Sequence, residues 1–505
     1  YKSYGGANDK WTNLAYYLNA GYNYKNKYFL TGTMSMEASS RFGKKAEQGI
    51  KLCGVTWGLF PSLQAAWVMS SEKWFNVKGI DYLKLTGGYE ISGNDNIDYY
   101  ATRTYFANTQ FLDKATALVL ENIQNPKLQW ETTKRYNIGL QASALNNRLN
   151  FALEYFHSNT DHLLTRKAVS DITGLATMWS NDGSLRNSGV DFNVNAMLVQ
   201  RKDWRWQAGF SIGHYKNEIT ALPSTSLNTI RTYALDDKGN RIADTEKQIH
   251  GYTSSVYGTN NILTAVGHAA GVFYGYKTAG VFSSDAEARA AGKDGNYLRY
   301  PTGLAEQPSR DFKAGDVHFV DQNGDGWINE ADMVVIGDPN PDIYGNIYTS
   351  LSWKGLKLDV NFKYSLGNDV FNYQRSQLES LNNNWNQTTA AVNRWRYEGQ
   401  KTDIPRAMDP TSTQWVNNER FSDRWIEDGS YLKLKNIRLT YNVPVNLSWL
   451  LGLSVWGECN NVFTISKYTG NDPEFSAGNG VLYQGIDAGY LTQGRNFNLG
   501  VTINL

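Results

Sequence analysis

The feature that most restricts the fold of this sequence is a strict alternation of apolar and polar residues over strand-length windows. In the last window apolar residues take every second position, and Phe497, Leu499, Val501, Ile503 and Leu505 alternate with Asn496, Asn498, Gly500, Thr502 and Asn504. Successive side chains of a β-strand point to opposite faces, so this pattern gives one apolar and one polar face. The sequence therefore predicts β-strands that each have one dry and one wet side.

The same pattern recurs along the chain and predicts about thirteen strands. They lie near residues 13–24, 28–40, 59–71, 81–92, 133–145, 148–164, 187–199, 203–217, 344–353, 356–367, 431–442, 452–466 and 494–505. Short polar connections, at 25–27, 146–148, 200–203 and 354–355, are typical of hairpin turns. The connections between successive hairpins are far longer than usual, and the longest are 93–132, 217–343 and 368–430.

This alternation of short and long connections favours a membrane β-barrel. Such barrels have short periplasmic turns, long extracellular loops, apolar residues towards lipid and polar residues towards the lumen. Tyrosines and tryptophans flank the short turns, as at a membrane interface: Tyr16, Tyr22, Tyr24, Tyr28, Trp204 and Trp206. We therefore predict an all-β fold, a transmembrane antiparallel β-barrel with long extracellular loops. The alternative is a large soluble β protein with aromatic stripes in its core.

Composition narrows the classes of function. No run of about 18 apolar residues is present, which excludes a transmembrane helix. The 49 basic and 48 acidic residues nearly cancel, so we expect no nucleic-acid partner. Cys53 and Cys459 lie far apart and are predicted to be isolated thiols. The sequence contains no nucleophile elbow, phosphate-binding glycine loop or paired-cysteine motif, so we predict that the protein is not an enzyme.

Several blocks of sequence, in order along nearly the whole chain, carry a resemblance to a known family. They are FPSLQAAWVMSSEKWF (60–75), YLKLTGGYEISGN (82–94), residues 128–156, residues 316–372, SDRWIEDGSYLKLKNIRLTYNVP (422–444) and NNVFTISKYTGNDPE (460–474). The chain resembles the SusC/RagA-like TonB-dependent transporters of Bacteroidetes outer membranes. The resemblance implies that residues 1–505 form the C-terminal part of a plugged barrel of about 22 strands. The family's plug domain, TonB box and early strands have no counterpart here, and the final Leu505 departs from the aromatic residue that often ends such barrels.

The resemblance also implies a function, a location and partners. It implies import of oligomeric nutrients across the bacterial outer membrane, with glycan oligosaccharides favoured as cargo and peptides second. The implied partners are outer-membrane lipid, a SusD-like surface lipoprotein that acts as a lid, and the TonB complex through a missing N-terminal region. Whether two SusC–SusD pairs form a dimer is left undecided.

Residues 316–337 contain a candidate calcium loop inside an extracellular excursion. The motif D-x-N-x-D-G-x-I-N-x-x-D offers oxygen ligands at alternate positions: Asp321, Asn323, Asp325, the carbonyl of Trp327, Asn329 and Asp332. Gly326 permits the sharp turn, and the last ligand is Asp rather than the Glu of an EF-hand. We expect a structural Ca²⁺ ion, and the alternative is a metal-free loop of Asx-turns.

The long loops contain large aromatic residues among Asn, Asp and Arg. Such side chains stack on sugars or fill peptide pockets, and we take Tyr99, Tyr100, Trp179, Trp385, Trp395 and Trp415 as candidate contacts to the ligand. The alternative is that these side chains pack within their own loops.

Two other functions remain open from the sequence alone. A calcium-stabilised surface adhesin or carbohydrate-binding β protein without transport would be soluble without detergent. It would not need apolar stripes facing lipid on nearly every strand. A passive porin is the third possibility, and an N-terminal plug would exclude it.

Overall fold

A computed structural model describes residues 9–43, 45–111, 115–175, 177–223, 229–232, 234, 242, 245–258, 261–445, 449–474 and 476–504. The chain forms two compact units. Unit 1 comprises Tyr1–Gln200 and Gln207–Asn228, and unit 2 comprises Arg201–Trp206 and Thr229–Leu505.

Strands dominate the described residues. They are β1 Asn13–Tyr24, β2 Tyr28–Ser39, β3 Ile50–Leu52, β4 Val55–Val68, β5 Ile80–Asn94, β6 Tyr105–Phe111, β7 Ala115–Asn122, β8 Glu131–Ala144, β9 Leu149–Ala168, β10 Thr177–Gln200, β11 Trp204–Ala221, β12 Thr229–Thr232, β13 Lys247–Ser254, β14 Ile262–Ala265, β15 Val272–Tyr276, β16 Thr278–Val281, β17 Arg299–Pro301, β18 Ser309–Asp311, β19 Val317–Phe319, β20 Met333–Gly337, β21 Ile343–Trp353, β22 Leu356–Leu366, β23 Asp369–Asn372, β24 Ile426–Asp428, β25 Tyr431–Val443, β26 Gly452–Ser466, β27 Ile486–Asp487 and β28 Asn496–Asn504.

Helices are few and short. The α-helices are α1 Asp285–Ala291 and α2 Tyr373–Leu378. The 3₁₀ turns are Met69–Ser71, Asp171–Thr173, Lys293–Gly295, Glu330–Asp332, Thr389–Asn393, Asp423–Trp425 and Val481–Tyr483. Within the described ranges, no helix has the length and apolar character needed to cross a membrane.

Unit 1 is built on an antiparallel sheet of long strands in the order β1, β2, β4, β5, β8, β9, β10, β11, with β3 paired to β4. The first hairpin shows why neighbouring strands pair in sequence order. Lys25 and Asn26 both adopt a φ of +54°, and the Lys27 N–H donates to the Tyr24 carbonyl at 3.0 Å. Positive φ at both central residues gives a tight turn whose twist matches that of the strands, which confirms the predicted hairpin.

The two faces of these strands differ as the alternation predicts. On one face of β8 the Asn137 amide donates to Glu154 of β9 at 3.3 Å, and Ser143 donates to Asn150 at 2.6 Å. On the other face Tyr136 and Ile138 are exposed. A hydrogen-bonded polar face and an open apolar face on one sheet are what a barrel wall in lipid requires.

Unit 2 contains a second run of long antiparallel strands in the order β21, β22, β25, β26, β28. The turn between β21 and β22 is only Lys354 and Gly355, and Lys354 has a φ of +52°. On the polar face the Asn436 amide donates to Asn460 at 2.8 Å. The polar and apolar faces therefore alternate in this unit as they do in unit 1.

The long connections of unit 2 fold into a substructure with its own core. We define the loop module as residues 261–342, 367–430 and 476–495. One of its apolar clusters contains Phe282, Ala288, Leu298, Phe312, Val317, Phe319, Ile328 and Val416. A second contains Ile262, Phe273, Phe371, Phe421, Trp425 and Ile486. Each cluster takes residues from more than one connection, so the connections stabilise one another.

Comparison with the sequence confirms the all-β antiparallel fold, and every one of the thirteen windows coincides with a long strand. Several boundaries were wrong by three or four residues, as at the two ends of β4, Val55–Val68, which was predicted near 59–71. The largest error is at β10, which begins at Thr177 rather than near 187. The last window corresponds to β28, and its final residue, Leu505, lies outside the described residues. The long connections, expected to be loops, contain short strands such as β15. Four of the five residues of β15 are buried, so it has no alternating pattern to detect.

Candidate functional site

The predicted calcium loop lies between β19 and β20, and its backbone is tightly organised. The Asp321 carboxylate accepts N–H groups from Gly324 at 2.8 Å and Gly326 at 2.7 Å. Gly326 has a φ of +84°, a conformation that suits glycine. Arg299 of β17 donates its backbone N–H to the Gly326 carbonyl at 3.0 Å and accepts one from Ile328 at 2.9 Å. The loop is therefore fixed to a neighbouring strand.

The acidic side chains of this loop are close enough to influence one another. The buried Asp332 carboxylate accepts N–H groups from Gln322 at 2.9 Å and Asn329 at 2.8 Å. Burial raises the pKa of Asp332 to about 6 despite these hydrogen bonds, and the charges of Asp321 and Asp325 also raise it. In the part of the chain that the structure describes, no three His, Cys, Asp or Glu side chains are arranged to hold a metal ion. A cation would therefore need the amide and carbonyl oxygens as well, which are donors that Ca²⁺ accepts.

The predicted aromatic contacts of unit 1 lie against cations and acids. Tyr99 stacks on Trp11 with ring centroids 6.3 Å apart, and the Arg41 guanidinium lies 4.8 to 4.9 Å from both rings. The Tyr100 hydroxyl accepts the Lys10 backbone N–H at 3.1 Å.

Trp179 is held in a similar way. Its indole N–H donates to Asp98 at 3.2 Å, and the Arg166 guanidinium lies 4.7 Å from its ring. All three aromatic residues of unit 1 therefore have partners within the protein.

The predicted aromatic contacts of unit 2 differ in exposure. The Trp395 indole donates to the Ser283 carbonyl at 3.1 Å, and Trp415 packs edge-on against Tyr300 at 6.4 Å. The side chain of Trp385 is 69% exposed. Of the six predicted aromatic residues, Trp385 is thus the one with a largely open ring.

A cavity of about 320 Å³ lies beside the predicted calcium loop and was not predicted from the sequence. Its walls include Asn261, Tyr276, Tyr300, Glu330, Asn417 and Arg420. Arg420 is only 7% exposed, its Nη1 donates to the Ile328 carbonyl at 3.0 Å, and the Tyr300 ring lies 4.3 Å from its guanidinium. A buried cation in the wall of a cavity is able to bind an anionic group.

A second cavity, of about 440 Å³, lies beside a cluster of lysines and carboxylates. Its walls include Lys363, Ser365, Asn368, Tyr431, Glu474 and Gln484. Glu474 pairs with Lys363 at 2.7 Å, Lys433 at 2.8 Å and Lys435 at 3.1 Å. Burial raises the pKa of Glu474, but the hydrogen bonds from Lys363 and Lys433 outweigh it and lower the pKa to about 2. Glu474 therefore stays ionised and organises three cations around this polar cavity.

A buried ion pair joins two connections of the loop module. The Arg406 guanidinium donates to both oxygens of Asp316, at 2.8 and 2.7 Å, and the Asn418 amide donates to the same carboxylate at 3.0 Å. These partners are 90 and 102 residues away from Asp316 in the sequence, so no local motif could have indicated them.

Comparisons with known proteins agree with the fold. The family described as "TonB dependent receptor-like, beta-barrel" matches residues 2–309. "TonB-dependent receptor P3" of Formosa agariphila is 28% identical over 494 residues, covering 95% of this chain and 44% of the relative. "TonB-dependent receptor SusC" of Bacteroides thetaiotaomicron is 28% identical over 515 residues, covering 97% of this chain and 44% of the relative. The chain thus spans less than half the length of these curated relatives.

Solved structures show the same fold. The structure of the RagAB peptide transporter has a TM-score of 0.72 at 22% identity, with 98% of this chain and 48% of that chain covered. The RagAB peptide importer in its "closed-closed" state has a TM-score of 0.71 at 23% identity, covering 97% of this chain and 47% of that chain. The resemblance to SusC/RagA-like transporters is confirmed. Because the family match spans more than half of its residues, the chain belongs to the TonB-dependent receptor-like β-barrel family of the bacterial outer membrane.

Proposed function

We propose that this chain supplies barrel strands to an importer of oligomeric nutrients that is driven by TonB and covered by a SusD-like lipoprotein. Glycan oligosaccharides are the favoured cargo and peptides are second. The relatives named SusC and RagAB support the type of transporter. RagAB is described as a peptide transporter, which supports the second cargo class without deciding between the two.

The observation that carries this proposal is that unit 2 contains both long barrel-type strands and a separately packed loop module. Its long strands are joined by a two-residue turn at Lys354 and Gly355, while the connections that follow β22 and β26 are long and help to build the loop module. Strands that expose apolar rows suit a lipid environment. A folded module between their ends, with two cavities lined by polar groups, suits capture of a water-soluble cargo.

Uptake in the producing bacterium tests the proposal. Deletion of the gene should abolish accumulation of fluorescent oligosaccharides of the recognised class, and a protonophore should abolish it in the wild type because TonB transmits the energy of the inner membrane. A matched series of fluorescent peptides decides the cargo class. Unchanged uptake of both series in the deletion strain would refute import.

We also propose that the Asp321–Asp332 loop binds a structural Ca²⁺ ion. The Asp321, Asp325 and Asp332 carboxylates, the Asn323 and Asn329 amides and the Trp327 carbonyl would hold it. The order of oxygen donors and the positive φ of Gly326 support this assignment. A bound ion would tie the ends of the loop together and stabilise the loop module.

Terbium provides a direct test, because Tb³⁺ occupies calcium sites and Trp327 lies in the loop to sensitise its emission. We expect Tb³⁺ luminescence that Ca²⁺ displaces, and a thermal stabilisation by Ca²⁺ of about 2 to 3 kcal/mol at 100 times the Kd. Asp325→Ala should abolish both signals. Asp182→Asn, which changes an exposed carboxylate of unit 1, should leave both intact. Equal luminescence in the two variants would contradict the assignment.

The six candidate aromatic residues are not equally suited to contact the cargo. We propose Trp385 as the leading contact to cargo because its ring is largely exposed. Tyr99, Tyr100, Trp179, Trp395 and Trp415 are proposed as secondary contacts, since each already packs or hydrogen bonds within unit 1 or unit 2. Trp385→Ala should therefore weaken uptake more than Trp415→Ala, and uptake kinetics would measure it.

A further inference from the structure

Arg420 is a buried cation whose charge is balanced in an unusual way. In the described part of the chain, no carboxylate lies within 4.0 Å of its guanidinium. Two other cations of unit 2 have acidic partners: Arg406 pairs with Asp316 at 2.7 Å, and Lys433 pairs with Asp472 at 2.8 Å. Buried charges are normally paired at short range, whereas the acid whose charge acts on Arg420, the buried Asp332, does so without an ion pair within 4.0 Å.

Aromatic rings surround the Arg420 guanidinium and stabilise part of its charge. The guanidinium lies 4.3 Å from the Tyr300 ring, 5.1 Å from Tyr276, 5.6 Å from Phe319 and 5.7 Å from Phe312. These distances are within the range of cation–π attraction. Ring faces do not use the in-plane N–H groups, of which a guanidinium has five. The Ile328 carbonyl accepts from Nη1, and the Tyr300 side chain also hydrogen bonds with Arg420. Burial lowers the pKa of Arg420, and the Tyr276 and Tyr300 side chains and the charge of Asp332 offset this only in part.

The cavity beside Arg420 has the size and chemistry of a binding site. Its volume of about 320 Å³ lies at the lower end of the range of small-ligand pockets. Asn261, Asn329, Asn417 and the exposed Glu330 also line it, so polar residues surround Arg420. A ligand that places an anion at Arg420 would find hydrogen-bonding partners for its remaining polar groups.

We propose that this cavity binds a carboxylate group of the ligand, held by the Arg420 guanidinium beside the rings of Tyr276 and Tyr300. A planar carboxylate matches the fork of N–H donors in a guanidinium, which makes it the best anionic partner for an arginine. The carboxylate could belong to the free end of a peptide or to an acidic sugar. As a site for cargo, the cavity rests on the proposed import function, but binding itself requires no TonB.

Paired probes that differ only in charge test the site on the protein extracted from outer membranes in detergent. Calorimetry would compare 4-bromobenzoate with 4-bromobenzamide, trialanine with its C-terminal amide, and glucuronate with glucose. We expect at least one acid to bind about tenfold more tightly than its neutral counterpart. The pair that discriminates identifies the source of the carboxylate. Equal binding within all three pairs, or no binding of any acid, would overturn the proposal.

Two arginine variants separate recognition from folding. Arg420→Gln should remove the preference for the acid. Arg424→Gln is the matched control, because Arg424 also lies over an aromatic ring, Trp425 at 5.0 Å, and donates to a carbonyl, that of Asp403, but does not line the cavity. The control should keep the preference. An equal loss in both variants would mean that Arg420 acts through folding alone and would overturn the proposal.

A measurement on the unaltered protein covers the case in which Arg420→Gln does not fold. In crystals soaked with 4-bromobenzoate, the bromine anomalous signal should lie in the cavity, with the carboxylate towards Arg420. A bromine peak elsewhere, or none in the cavity, would contradict the assignment. Transport assays are not needed for this result, so failure of the site and failure of import remain distinguishable.

Discussion

The long strands and the loop module use the same apolar residue types in opposite ways. Ile138 of β8, a strand with neighbours on both sides, is 53% exposed, whereas Phe319 in the loop module is fully buried in the cluster around Phe312. An exposed row of large apolar side chains is stable only beside another apolar phase, and lipid supplies it for a barrel strand. The loop module instead builds a water-excluding core from its own residues. Each part is therefore adapted to a different solvent.

The ion pairs of the two regions also differ in how far they are exposed to water. On the polar faces of the strands, ion pairs are partly open to water, as for Arg135 and Glu154, whose nitrogen and oxygen are 3.5 Å apart. In the loop module, Asp316 is fully buried and held by Arg406 and Asn418. Partly exposed pairs contribute little stability, while breaking a buried pair is costly. The following changes test this contrast.

The largest effect is expected from emptying the core of the loop module. Phe319→Ala should destabilise the module by about 3 to 5 kcal/mol, because it removes a fully buried aromatic ring and leaves a cavity. Hydrogen exchange of the module's backbone amides would measure the loss. Ile138→Ala on β8 should cost much less in detergent, since that side chain is about half exposed and has no packed protein core around it. Equal losses would break the comparison.

Breaking the buried ion pair should have an effect of similar or slightly smaller size. Asp316→Ala leaves the Arg406 guanidinium without its acid and should destabilise the module by about 3 to 5 kcal/mol. Limited proteolysis of residues 280–330 would report it. The control is Glu47→Ala, which removes an exposed partner of Lys127 and should cost about 0 to 1 kcal/mol.

A charge on the apolar face of a strand should be costly only in a bilayer. Ile138 is exposed near the middle of β8, and Ile138→Lys should cost about 2 to 4 kcal/mol in lipid if it faces the middle of the membrane. Leu304 is similarly exposed in the loop module, and Leu304→Lys should be nearly neutral. Unfolding by urea from lipid vesicles would compare the two variants. A neutral Ile138→Lys would show that this face does not contact lipid.

The smallest effect concerns pH and the acid Asp369 of β23. Burial raises its pKa to about 6, and the charges of Asp338, Asp428 and Asp342 add to this against a hydrogen bond from the Asp338 N–H. An acid whose folded pKa is raised costs stability at high pH and regains it as the pH falls through about 6 towards its ordinary value near 4.

Asp369→Asn should therefore stabilise the module at pH 8 by about 1 to 3 kcal/mol. The gain should disappear near pH 4, where aspartate is protonated as well. Thermal unfolding of the variant and the wild type at the two pH values would measure this, and a gain independent of pH would contradict the assigned cause.

The two regions also differ in how far the sequence predicts them. The thirteen long strands follow from alternation, because each contacts a different medium on each face. Lys25 and Asn26 could also be assigned to a turn from the short polar connection. Strands of the loop module escaped detection, because a strand such as β15 is buried on nearly all sides and lacks a period of two.

The candidate site also contains one part that the sequence predicts and another that it does not. The loop from Asp321 to Asp332 is local, so its spacing alone placed the oxygen donors in order. Arg420 and its cavity depend on Tyr276 and Tyr300, which are more than a hundred residues away in the sequence. Nothing in the local sequence around a single arginine in a loop indicates that its side chain is buried. Sequence reasoning identified candidate aromatic rings but had no means to separate packed Trp415 from exposed Trp385.

Native mass spectrometry of material extracted from outer membranes with detergent tests the central claim of an outer-membrane importer most directly. It weighs polypeptides, lipidated partners and retained ligand together. We predict a complex that contains this chain, a lipid-anchored lid protein and a bound oligosaccharide or peptide. A species that is released without detergent and carries neither lipoprotein nor ligand would contradict the account and favour a soluble surface protein.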